Sequence, residues 1–252
     1  MTNNETSWGK VADWYDNLLE TDADSYQRQV ILPNLLRLVE PKAGQRILDL
    51  ACGTGFFARE LAKSGAEVVG VDISAELINL AKKQESQGIS YFISPAHELS
   101  MLPSASVDAV TNILAIQNIA EVKQVFAEVK RVLKPGTKFI IVMNHPAFRL
   151  PKNSSWGWDE ERQIQYRRLD RYMSEMKTGI NMHPGKGEVA MTVSFHRPLQ
   201  YYFKLLVNAG LTVTRLEEWS SHKTSERGPR QRAEDVARKE FPLFLCLEAR
   251  LG

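Results

Sequence analysis

ILDLACGTGFFARELA, running from Ile47 to Ala62, reads as a buried strand, a glycine turn and the opening turns of a helix. Ile47, Leu48 and Leu50 form a short apolar run suited to a strand covered on both faces. Asp49 interrupts that run near its C-terminal end, and a carboxylate buried there needs a partner. Gly53, Thr54 and Gly55 let the backbone turn sharply and approach a ligand closely. Ala58, Arg59, Glu60, Leu61 and Ala62 are helix formers. A strand that ends in a glycine turn feeding a helix is the nucleotide-binding corner of an open α/β sheet.

The run from Gly53 to Ala58 fits the dinucleotide fingerprint only loosely. Asp49 argues against a pyrophosphate, whose negative charges disfavour an unpaired carboxylate beside the turn. A ligand with a cationic end suits it better. DLACGTG resembles the signature loop of the class I S-adenosylmethionine (SAM)-dependent methyltransferases, a superfamily that includes the ubiquinone-biosynthesis and other small-molecule enzymes. SAM carries an ammonium, a sulfonium and an adenosine, and no phosphate. A strand–glycine–helix turn without a ligand, with Asp49 paired structurally, is the plainer alternative.

Downstream features extend the pattern. Glu67 to Asp72 reads as a second strand ending in an acid, 17 positions past Gly55 and close to the ~20 at which a ribose-binding carboxylate is expected. Ser74 supplies the cap of the following helix, which frees Asp72 for ligand work. Ile89–Ile93 and Ser106–Asn112 read as strands three and four. Val122, Val125, Phe126, Val129, Val132 and Leu133 line one face of a helix between Glu121 and Leu133. Thr137–Met143 follows as strand five. RVLKPGTKFIIV and the later HRPLQYYFKLLVNAGL are similar to the corresponding segments of the methyltransferases. Strand six is expected over Leu211–Trp219 and a final antiparallel strand over Leu243–Leu251.

The expectation is a single α/β domain over 1–252, built on a doubly wound, Rossmann-like seven-stranded sheet of order 3-2-1-4-5-7-6. Its parts are an N-terminal helical lid (1–40), a SAM-binding core (41–144), an inserted lid and substrate region (145–197) and a C-terminal helix with strands six and seven (198–252). The resemblance implies SAM as methyl donor, S-adenosyl-L-homocysteine as product, and a cofactor site drawn from Tyr15, Asp49, Ala51, Cys52, Gly53, Thr54, Gly55, Asp72, Ile73, Ala96, His97, Asn112 and Ile113. In that family the loop after strand three usually reads Asp-Ala-Glu. Here Pro95 stands for the Asp, and His97 is the candidate replacement contact. That departure also keeps open a SAM-binding protein without catalysis.

For the acceptor, the candidates are Tyr15, Gln117, His145, Trp156 and His183. His145 leaves strand five on the ligand side of the sheet, and its ordinary pKa near neutrality suits a general base. The plainer reading is a turn histidine before Pro146. About 50 residues from Phe148 to Arg197 lie between strand five and the next helix, rich in aromatics and arginines. Two strand-like runs, about 163–174 and 188–195, are expected there, joined by a turn near Pro184–Gly187. An anionic aromatic small molecule fits this composition. RNA is the alternative partner.

Composition excludes other classes. The 252 residues are 43% hydrophobic and 25% charged with net charge +2, so no strong polyanion partner such as DNA is implied. Two cysteines, Cys52 and Cys246, lie far apart, without a CxxC or Cys/His cluster. Reduced thiols and no metal site are therefore expected. MTNNETSWGK has no apolar signal core, and the longest apolar runs are too short to span a bilayer, so a cytoplasmic monomer or homodimer is expected.

Overall fold

A computed structural model of the chain describes residues 21–84, 87–181 and 191–252. Residues 1–20 of the expected N-terminal helical lid, with Tyr15, lie outside the described residues, as do His183 and the turn at 184–187. One sheet organises the rest. Its strands are β1 (Arg46–Leu50), β2 (Glu67–Asp72), β3 (Ile89–Ile93), β4 (Val107–Ile113), β5 (Leu133–Asn144), β10 (Leu211–Trp219) and β11 (Phe244–Leu251). The order across the sheet is β3-β2-β1-β4-β5-β11-β10. The first five are parallel, and β11 runs antiparallel to both β5 and β10. With β10 and β11 as strands six and seven, this is the order expected from the sequence.

Alternation along each strand feeds two cores. On one face lie Leu48, Leu50, Val69, Val71, Phe139, Ile141, Leu245 and Leu247, packed against Val125, Phe126 and Val129 of a helix at Val122–Val132. Leu206 on the helix Leu199–Asn208 closes the same core. On the other face lie Ile47, Val68, Ala109, Ile140, Val142 and Cys246, covered by the helices Leu32–Val39 and Phe56–Ala62. In chain order these helices are α1 (Leu32–Val39), α2 (Phe56–Ala62), α3 (Ala75–Lys83), α4 (Val122–Val132), α5 (Leu199–Asn208) and α6 (Gln231–Glu240). A fully buried Val, Leu, Ile or Phe contributes about 1.5–3 kcal/mol over the exposed state, which is why the strands read as near-continuous apolar runs. Asp49, Gly70, Asp72 and Thr111 interrupt those runs, and their spacing from Ile47, Val68 and Ala109 puts all four on the α1/α2 face.

Local chemistry sets the element ends. Pro33 has no amide hydrogen to donate, and a π turn over Gln27–Ile31 precedes α1 there. The Asn34 side chain donates to the Val30 carbonyl at 2.9 Å. Ser74 caps α3 as expected, its Oγ accepting from the Leu77 amide at 3.3 Å. At one edge of the sheet, β10 carries exposed Arg215 and Glu218, charges that discourage pairing with another chain.

The insert departs from the sequence reading. It folds as two separate ribbons, β6 (Ser154–Asp159) with β7 (Ile164–Leu169) and β8 (Met176–Asn181) with β9 (Met191–His196). The two expected runs are therefore not partners of each other. Each pairs with a strand that the sequence pattern did not reveal.

Candidate active site

The carboxyl ends of β1, β2 and β4 converge where the glycine turn leaves β1. Ala51 and Leu114, the residues just past β1 and β4, both take left-handed backbone conformations (φ 59° and 55°). Neither residue type favours that region, and such strain concentrates at ligand sites. The Cys52 amide donates to the Val71 carbonyl at 3.0 Å, tying the turn to β2.

Two acids face each other across this corner. Asp49 is 1% exposed. Its Oδ1 accepts from the Thr111 hydroxyl at 2.9 Å, while its Oδ2 is buried without a hydrogen-bond partner. Burial pushes the Asp49 carboxyl up to about 7; the Thr111 bond opposes the shift, and the neighbouring charge of Asp72 adds to it. Asp72 is also buried, and desolvation raises its pKa against the amides of Ser74 and Gly53. Those amides donate to Oδ1 at 3.0 Å and to Oδ2 at 2.9 Å. Each carboxylate oxygen has a second lone pair, so Asp72 can brace the turn and accept from a ligand at once.

Two adjoining cavities open on this acid pair. One, of about 290 Å3, is walled by Ala51, Asp72, Ile73, Ala96 and His97, and by Lys177, Val193 and Phe195 of the second ribbon. The other, of about 130 Å3, is walled by Asp49, Cys52, Gly53, Asp72, Ile113 and Leu114. Ala51, Asp72, Ile73, Asn118 and Ile119 belong to both.

Of the residues expected at a cofactor, Asp49, Ala51, Cys52, Gly53, Asp72, Ile73, Ala96, His97 and Ile113 thus come together around this space. Thr54 is buried behind it with its hydroxyl unpartnered. Gly55 shapes the turn from beneath Tyr91. Asn112 is fully buried and its Nδ2 donates to the Leu50 carbonyl at 2.9 Å, clamping β4 to β1. Gln117 lines a separate small cavity beside Phe195 and Arg197. Trp156 lines a further one with Arg149 and Arg167. His145 lines none of these four cavities. Lys177, Val193 and Phe195 carried no signal in the sequence, because only the pairing of β8 with β9 brings them over the sheet.

The fold is of the doubly wound class, with two adjoining cavities at the carboxyl edge of its parallel strands. Asp72 borders both cavities, and Asp49, whose Oδ2 is buried without a hydrogen-bond partner, borders the smaller one.

Comparison with known proteins agrees. Residues 48–141 match the model of the family described as a methyltransferase domain. The chain is 35% identical over 150 residues to the biotin biosynthesis bifunctional protein BioHC of Cellvibrio japonicus, covering 60% of this chain and 29% of that protein. It is 36% identical over 105 residues to the ubiquinone/menaquinone biosynthesis C-methyltransferase UbiE of Rubrivivax gelatinosus, covering 42% and 41%. The chain thus spans less than half the length of these curated relatives. An S-adenosylmethionine-dependent methyltransferase from Mesorhizobium loti superimposes with a TM-score of 0.70 at 27% identity, over 92% of this chain and 99% of that one. These likenesses support the class I SAM-dependent methyltransferase superfamily, with SAM as the cofactor.

Proposed function

We propose that this protein transfers a methyl group from SAM to a small organic acceptor, and that the 145–197 insert works with the core as a single unit to enclose the reacting groups. The observation that carries the donor half is the buried, unpartnered Oδ2 of Asp49 in the smaller of two adjoining cavities that share Asp72 and Ile73. When bound, SAM supplies an activated methyl on its sulfonium. Asp49 balances the ammonium, and Asp72 accepts from the ribose hydroxyls while its amide partners hold the turn. Ile73 and Ala96 wall the adenine. Val193 and Phe195 cover the site and keep water out, which matters because the electrophile is already activated and alignment is the protein's main contribution.

The small-molecule half is supported by the names of the relatives, which place UbiE in ubiquinone and menaquinone biosynthesis. It is also supported by the walls that the second ribbon builds over the cavity. Calorimetry with SAM and with S-adenosylhomocysteine tests the donor reading: low-micromolar binding of both is expected, and binding of neither overturns it. Transfer from labelled SAM into cell extract, split into RNA and small-metabolite fractions, tests the acceptor. Label in small metabolites is expected, and label confined to RNA overturns the reading.

A further inference from the structure

We propose that the cavity between Arg149 and Arg167 holds the carboxylate of an aromatic acid, and that this acid is the anchoring end of the methyl acceptor. The first half stands by itself. The second rests on the methyltransferase reading.

The cavity measures about 260 Å3 and is walled by Tyr26, Phe148, Arg149, Trp156, Arg167 and Phe241, with Pro242 and Leu243 behind. Phe148 and Arg149 follow the end of β5, and Phe241 precedes β11. Because β11 is antiparallel to β5, both segments sit at the carboxyl edge of the parallel strands, the same edge as the Asp49–Asp72 corner.

Its charge is uncompensated. No Asp or Glu lines it among the described residues. Arg167 donates only to neutral oxygens, the Phe148 carbonyl at 3.0 Å and the Ser154 hydroxyl at 2.6 Å. The Arg149 side chain makes no hydrogen bond or ion pair among the described residues. Its guanidinium lies 5.6 Å from the centre of the Phe244 ring. Arg149 stays exposed to solvent on one side; desolvation lowers its pKa, Tyr26 opposes, and the like charge of Arg167 adds to the lowering. Desolvation does the same to Arg167. Two guanidinium groups kept together without an acid form a receptor for an anion, and their fork geometry matches a carboxylate.

The walls favour a flat, apolar body behind that carboxylate. Arg167 lies over the Trp156 ring at 5.0 Å. Trp156 and Phe148 meet Phe241 edge-on, with centroids 5.4 and 5.5 Å apart. Such a box offers ring faces and edges to a planar ligand. Trp156 stays 41% exposed, so the box is open to solvent on that side.

Shared walls link the box to the donor. Arg149 also borders a small cavity with Gln117, Asn144 and Phe195. Phe195 in turn walls the cofactor cavity. Gln117 contributes a buried Oε1 without a partner on this route. An acid gripped by the arginines would extend past Gln117 toward Asp72, with its methyl-accepting atom remote from its carboxylate.

Benzoate, benzamide and acetate, titrated into the full chain without SAM and followed by tryptophan fluorescence and ligand-observed NMR, test the site. Benzoate is expected to bind about tenfold tighter than either of the others, since one lacks the charge and the other the ring. Arg149→Gln is expected to abolish that preference while keeping the binding heat of SAM. Equal affinity for benzoate and benzamide overturns the anion site, and equal affinity for benzoate and acetate overturns its aromatic selectivity. So does an unchanged benzoate affinity in Arg149→Gln. The ligand ratios in the unaltered chain decide the matter even if that variant misfolds. Failure of SAM to bind while benzoate binds removes the methyltransferase reading alone; the reverse removes this inference alone.

Discussion

Asp49 and Thr111 pair across the β1–β4 register, and the Thr111 hydroxyl satisfies only one of the two buried Asp49 oxygens. Burial of that carboxyl, offset only in part by Thr111, raises it to about 7. An acid raised above its unfolded value of ~3.9 lowers stability as pH rises from ~4, up to the folded value near 7. A bound ammonium reverses the preference by favouring the charged form. SAM affinity should therefore rise between about pH 6 and pH 8, with up to one proton released on binding. Calorimetry in buffers of different ionisation enthalpy measures that proton. Asp49→Asn should bind SAM weakly and lose this pH dependence, yet be more stable than the parent at pH 8 without ligand. A parent chain whose SAM affinity is flat over this range would refute the role.

Asp72 predicts a different pattern, because its two oxygens already accept the Gly53 and Ser74 amides. Asp72→Ala removes the ribose acceptor and the brace of the turn together. Asp72→Asn keeps one acceptor oxygen, so it separates the two effects. The Ala variant should lose SAM binding by about a hundredfold and melt earlier, by a margin on the order of 1–3 kcal/mol. The Asn variant should stay nearer the parent in stability and still bind SAM about tenfold more weakly. A thermal melt alongside the titration checks both. An Asp72→Ala chain that bound SAM as tightly as the parent would remove Asp72 from the cofactor site.

How far the sequence carried these residues depended on whether a signal was local. Asp49 and Asp72 stood out because each is an acid at the end of an apolar strand. β10 was read to the residue, since Gly210 ends a helix before Leu211 and the polar Ser220 follows Trp219. The insert resisted for the opposite reason. β6, SSWGWD, has no clear alternation and is stabilised by pairing with β7, so its strand character comes from its partner. Phe195 became a wall of the larger cavity only through the fold of the second ribbon. The left-handed backbones of Ala51 and Leu114 had no compositional trace at all, because neither residue is one that seeks that conformation.

Tyr91 packs over two glycines, and that packing yields a third prediction. Gly70 and Tyr91 are register partners on β2 and β3. A Cβ at Gly70 would lie 2.6 Å from Tyr91 Cδ1, and one at Gly55 would lie 2.3 Å from Tyr91 Oη. Gly55 also sits at φ 78° in the turn. Gly55→Ala combines a left-handed alanine with a clash, so it should destabilise by about 2–4 kcal/mol and weaken SAM through the displaced turn. Gly70→Ala meets only the clash, at a strand position with ordinary dihedrals, and should cost about 1–3 kcal/mol. Shrinking the ring tests the cause: Tyr91→Ala should be worth less as damage in the Gly70→Ala background than alone. Additive effects in that double-mutant cycle would show that the contact is not what limits these positions.

His145 brings the catalytic question to a single measurement. Its Nδ1 accepts from the Ala147 and Phe148 amides at 3.2 and 3.4 Å, which leaves Nε2–H to donate to Glu218 at 2.7 Å. Its ring stacks against Phe148 at 4.7 Å, and its backbone amide bonds the Leu243 carbonyl at 2.8 Å. These contacts hold the exit of β5 against the start of β11, next to the arginine box. Burial lowers the His145 pKa, with Glu218 opposing, so the ring stays neutral through the neutral range. A histidine depressed in the fold binds its proton more readily when unfolded, so stability falls as pH drops below about 6.5. His145→Gln should remove that acid sensitivity and cost about 1–3 kcal/mol at pH 7. As a positioning residue, His145 should affect acceptor KM more than kcat, and the Gln variant should keep the parent's pH–rate profile above pH 7. As a general base it would do the reverse: kcat would fall by about a hundredfold or more, and the acid limb of the profile would vanish. The two outcomes separate cleanly in one pH series on parent and variant, and the paired hydrogen bonds on both ring nitrogens predict the first.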